Sequence, residues 1–147
     1  MRRAVTLGSL LAAALCAAAC PDLDIDRPQI SGTHPIANPR FGTDIQPILT
    51  QSCAMSGACH LGPSSQLDLD LGAGQAYGNL VNVPARLNPN LLRVNPSKPD
   101  SSFFIFMMEG DAAKRSGGRQ MPLSGTPLPT EVIQTMKNWI TNGALNN

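Results

Sequence analysis

Aromatic side chains are scarce in this 147-residue chain: Phe41, Phe103, Phe104, Phe106, Tyr77 and Trp139 are the whole supply. With so few large packing units and 13 prolines and 13 glycines, the chain reads as rich in loops, and such a chain has difficulty burying enough apolar area by itself. Charge is sparse as well, at 14% of residues with a formal balance of +1, which excludes a polybasic nucleic-acid surface. Only two histidines, His34 and His60, are present. No internal repeat occurs, and no membrane-spanning run follows the first twenty residues.

What is present begins with Met1-Arg2-Arg3 and the apolar run Ala4 to Ala19, the basic start, greasy middle and small-residue end of a secretory signal. Residues 1–19 are therefore expected to be a signal peptide and to lie outside the fold. Ala17-Ala18-Ala19-Cys20 resembles the lipobox of bacterial lipoproteins, which implies that Cys20 is acylated and becomes the mature N-terminus; an ordinary signal peptide cleaved near Ala19 leaves Cys20 as a spare thiol. Cys16 falls inside the apolar run and is expected to be discarded with it. Without Arg2 and Arg3, nine basic side chains face ten acidic ones. Residues 20–40 carry Pro21, Pro28, Pro35 and Pro39 and no helical periodicity, which reads as an extended tether. One folded domain is expected over 41–147.

Within that domain Thr43-Asp44-Ile45-Gln46 has the spacing of a capping box, with Thr43 as N-cap, and Ile45, Ile48 and Leu49 share a helical face. Pro47 is tolerable so near the start, so this helix is expected to run to about Ser52 and deliver Cys53 at its end. Leu67, Leu69 and Leu71 alternate as a short strand would, but Gly72 and Gly74 stop them at once. Ala73 to Val81 and Asp100 to Glu109 read as short helices. The last helix is the clearest: Pro129 suits a first helical position, Glu131 complements the N-terminal dipole, and Val132, Ile133, Met136, Trp139 and Ile140 form a stripe before Gly143.

The chemistry concentrates in Cys53-Ala54-Met55-Ser56-Gly57-Ala58-Cys59-His60. Two thiols followed at once by an imidazole can hold the rim of a haem and its iron together. In the familiar attachment motif two residues separate the cysteines, whereas here there are five. Two other readings use the same residues. Cys53 and Cys59 can close a disulfide in an exported chain, leaving His60 an ordinary loop residue; a zinc site would add His34, which lies in the tether.

The run Phe41 to Leu49, the segment Cys53 to His60, the triplet Gln120-Met121-Pro122 and the closing Trp139-Ile140-Thr141-Asn142-Gly143-Ala144 together resemble, in order and spacing, a single-haem c-type cytochrome domain of bacterial exported lipoproteins. The resemblance covers most of Phe41 to Leu145. It implies an all-α, cytochrome c-like fold with first and last helices crossing, where Gly42 allows a close approach and Trp139 offers its face, and with long loops around the haem. It also implies one covalent haem c, with thioethers at Cys53 and Cys59, His60 as proximal ligand and Met121 as distal ligand. His60 would then donate its second ring nitrogen to a backbone carbonyl in the loop beyond, near Pro63. Met107, Met108 and Met136 lie on apolar helical stripes and read as core, and Met55 is too close in sequence to reach the opposite haem face. The implied task is one-electron transfer with redox partner proteins of the cell envelope, on the periplasmic side of a bacterial membrane. That is not an enzyme; a peroxidase would need Met121 off the iron. The alternative is a haemless binding or structural domain of the same shape, stapled by Cys53 and Cys59.

Overall fold

The computed structural model describes residues 34–123 and 126–147. Cys16, Cys20 and the signal segment lie outside the described residues, as does most of the tether. The chain folds as a small, mostly helical domain with α1 (Gln46–Ser52), α2 (Ala76–Leu80), α3 (Phe103–Glu109) and α4 (Thr130–Thr141). An antiparallel hairpin of β1 (Pro84–Ala85) and β2 (Asn88–Leu92) joins α2 to α3. The all-α expectation is corrected by this hairpin, which a proline-containing pair of short strands, poor in β-branched residues, hardly announces.

The approach to α1 also differs from its expected form. Phe41–Ile45 makes a wide π-type turn, in which the Ile45 N–H reaches the Arg40 carbonyl at 3.2 Å. Asp44 is the capping group: its Oδ2 accepts from the Arg40 N–H at 2.7 Å and from the Thr43 hydroxyl at 3.3 Å. Gln46 turns away from the cap, and its amide donates to the Leu71 carbonyl at 3.1 Å. The helix still ends where the sequence predicts, with the Cys53 and Ala54 N–H groups both on the Leu49 carbonyl. Leu67 and Asp68 have left-handed backbones, with φ of 59° and 53°, so Leu67 to Leu71 forms a tight turn in place of a strand.

Helix α4 starts one residue later than expected, with Pro129 as its N-cap, and buries Val132, Met136, Trp139 and Ile140. Its Trp139 ring lies 5.3 Å from the Phe41 ring, which meets Tyr77 edge-on at the same spacing, so the first and last helical segments are in contact. The Trp139 and Tyr77 polar tips donate to the Leu145 and Ala144 carbonyls, at 2.9 and 3.0 Å. Those bonds let two large amphipathic side chains enter the core with no polar group unpaired. Gly42 has a different neighbour from the one expected: its N–H donates to the Asn147 carbonyl at 2.8 Å, and an added Cβ would sit 3.3 Å from that oxygen. The end of the tether is docked as well. The Ile36 N–H donates to Thr135 Oγ1 at 3.0 Å, and Asn138 and Asn142 donate to the Ile36 and Ala37 carbonyls. No described helix is long and apolar enough to cross a membrane.

Candidate cofactor site

Cys53 leaves α1 at its last turn, buried, and the chain then loops outward through the exposed Met55 before returning to Cys59 and His60. Main-chain bonds close that excursion: the His60 N–H donates to the Cys53 carbonyl at 3.1 Å, so the added residues bulge while the ends of the loop are held together. The next turn is folded back on the pair, with Gln66 N–H on the Cys59 carbonyl and Leu71 N–H on the His60 carbonyl at 2.8 Å.

On the other side, the loop carrying Met121 is fastened to α3. The Met121 N–H donates to the Met107 carbonyl at 2.9 Å, and the Gln120 amide to the Met108 carbonyl at 3.1 Å. Gly110, in a left-handed conformation that ends α3, leaves room for that amide; a Cβ there would lie 2.5 Å from it. Gly118 is also closely packed, with Leu87 and Met107 each 2.9 Å from where a Cβ would be.

Between these two loops lies a cavity of about 650 Å³, walled mainly by apolar groups. Cys53, Cys59, His60 and Met121 all line it. The four residues singled out in the sequence are thus brought to one space, of the size that holds cofactors, typically ~300–1,000 Å³. Both cysteines are free thiols. Burial, with the neighbouring Cys59 adding to it, pushes the Cys53 thiol up to about 12, so it is a neutral and unreactive thiol in the folded chain.

His60 is held below its ordinary pKa, first by burial and further by the positive charge of Arg93. The carbonyls of Leu69 and Gln66 face the ring and oppose that shift, yet neither closes a hydrogen bond to Nδ1, which is buried without a partner. The carbonyls beside the ring are therefore these two and not one near Pro63. A neutral imidazole on a cavity wall, with a polar atom left over, has the protonation state of a metal ligand. Among the described residues no group of three or more His, Cys, Asp or Glu side chains converges as a metal site, so the zinc set with His34 is not assembled.

The sequence reading missed how much of α3 faces this space. Phe103, Phe104, Met107 and Met108 all line the cavity, although Met107 and Met108 read as core in the sequence; their spacing, two adjacent pairs four apart, is that of one helical face. Met107 and Met108 consequently stand beside Met121 as further thioethers. No known family model, curated protein or solved structure matches this chain.

Proposed function

We propose that this domain is a one-electron carrier with a single covalent haem c, in a cytochrome c-like fold at the bacterial cell envelope. One observation carries the reading: a single, largely apolar cavity is lined at once by two free thiols, a neutral imidazole and the thioether of a loop methionine. That donor set fits haem. Cys53 and Cys59 would hold the macrocycle's rim as thioethers, His60 would be the proximal ligand and Met121 the distal one. The cofactor supplies an iron that takes up and releases one electron.

The chain's own contribution is to position and to exclude. Leu69, Leu71, Phe103 and Phe104 keep water from the cavity, and the soft Met121 sulfur favours the reduced iron relative to a second imidazole. With His60 and Met121 both engaged, no open position is left for peroxide, so the role is transfer between redox partner proteins and not catalysis. Acylation of Cys20 would hold the carrier to the membrane on the periplasmic side.

The test is to produce the full chain alongside a c-type haem maturation system and examine it under denaturing conditions and by visible spectroscopy. Haem that stays with the denatured chain, narrow reduced bands and a weak sulfur-to-iron charge-transfer band in the oxidised form are expected. A high-spin spectrum would indicate an open iron and a peroxidase. No covalent haem under these conditions would falsify the carrier and leave the haemless domain.

A further inference from the structure

Four arginines and no carboxylate line the cavity and the recess beside it. Arg86, Arg93 and Arg119 belong to the wall of the apolar cavity, and a second, more polar recess of about 340 Å³ is lined by Arg115, Arg119, Gln120 and Pro127. The recess adjoins the cavity, since Gly118, Arg119, Pro122 and Leu123 line both. Among the described residues only Arg86 of the four has an acidic partner, so the lining as a whole calls for negative charge from whatever enters.

The four are not equivalent. Arg86 is paired with Asp68, and Arg93 is spent on main-chain carbonyls, donating to Asn79 at 2.8 Å and to Leu67 at 3.2 Å. Arg115 gives one nitrogen to the Gly118 carbonyl at 2.7 Å, which fixes its guanidinium, while its Nε is buried with no partner. Arg119 makes no ion pair and no side-chain hydrogen bond among the described residues, and the nearest acid in sequence, Asp111, is engaged by Lys114 at 3.1 Å. One fixed guanidinium with an unmet buried donor, one uncommitted guanidinium and a recess beside an apolar cavity make a receptor for carboxylates.

We propose that the Arg115–Arg119 recess is the carboxylate subsite of the cavity, receiving the acidic edge of a planar amphipathic cofactor. Resting on the reading above, that edge is the propionate pair of the haem. The anion satisfies Arg115 Nε and is held ionised by both charges, so the cofactor enters in one orientation, with its acidic edge toward the Met121 loop.

The holoprotein tests this through the pH dependence of its midpoint potential. Oxidised iron carries one more positive charge and favours ionised carboxylates nearby, so the potential bends where those carboxylates titrate. In Arg115→Gln/Arg119→Gln the bend is expected to move up by ~1–3 pH units. Arg119→Gln alone, which breaks no internal bond, is expected to give part of that movement, and Arg119→Lys, which keeps the charge, to leave the bend close to its wild-type position. Arg86→Gln, removing an equal charge from the other wall, should leave the bend in place. A bend unmoved in the Arg119→Gln and double variants, or moved equally by Arg86→Gln, overturns the subsite while covalent haem and a low-spin spectrum keep the carrier standing. Wild-type chain without covalent haem overturns the carrier, and the subsite with it.

Discussion

Two thiols in one short loop have different surroundings, and their chemistry should differ accordingly. Cys53 is 8% exposed and its thiol is pushed up to about 12, whereas Cys59 is half-buried at the cavity wall with the Ser56 hydroxyl 3.6 Å from its sulfur. In haem-free protein at pH 8, an alkylating reagent is expected to modify Cys59 more than about tenfold faster than Cys53, because only the thiolate reacts and burial withholds it. Peptide mapping after timed alkylation measures the ratio, and equal rates would mean that Cys53 is not buried in solution. The methionines pose the second question at this scale. Met121 sits on a loop pinned by its own N–H, while Met107 and Met108 are fixed on α3, with Met108 almost wholly buried. Met121→Ala should lower the midpoint potential by on the order of 0.1 V, within the ~0.8 V that axial ligands span, and admit added ligands to the iron. Met107→Leu and Met108→Leu should each keep the sulfur-to-iron band. Loss of that band in either of them, with Met121→Ala unaltered, moves the distal ligand onto α3.

Gly110 is where α3 hands the chain on toward the Met121 loop, and it does so by a left-handed residue under the Gln120 amide. Gly110→Ala incurs the left-handed penalty of an L-residue, roughly 1–2 kcal/mol, and turns the Gln120 amide off the Met108 carbonyl at a cost of about 1 kcal/mol more. Gly74→Ala is the matched control, since its φ of 79° carries the same penalty with nothing near the added carbon. Denaturant titrations of both variants should show Gly110→Ala the more destabilised, and equal losses would leave the Gln120 contact without energetic weight. The helices were legible because their signals are local: an apolar stripe from Val132 to Ile140, and a run from Ile45 to Leu49 that ends at Cys53. The cap of α1 was not, because Asp44, Thr43 and Gln46 all have oxygen acceptors within capping reach of the helix start, and the wide turn over Phe41–Ile45 decides among them. The hairpin and the left-handed turn at Leu67 and Asp68 were equally hidden. Both depend on pairing or wrapping across the chain, and no residue type in them declares it. The same holds for the site, where Cys53, Cys59, His60 and Met121 stood out by chemistry, while Arg115 and Arg119 became visible only when the recess gave their charges a common space.

At the scale of the molecule, the apolar residues fall into two clusters that the cavity both separates and joins. The larger gathers Ile45, Leu49, Met136, Trp139 and Ile140 with Cys53, Leu71 and Met108; the smaller gathers Phe103, Phe106, Met107 and Ala85, with Met121 packed against it. Members of both wall the same space, so a planar apolar cofactor there would turn two small cores into one. Without it, the wall carries His60, which burial holds below its ordinary pKa of 6.5. The unfolded chain then binds a proton more readily than the folded one between the two pKa values, so stability rises with pH across that window. The contribution is fully present above the unfolded value near 6.5 and is lost as the pH falls through it toward the lower folded value. Haem-free protein should accordingly show a falling thermal midpoint between pH 7 and pH 5, and His60→Gln should flatten that slope. Calorimetric scans at several pH values make the comparison, and a slope that survives in His60→Gln would place the acid sensitivity elsewhere than the cavity wall.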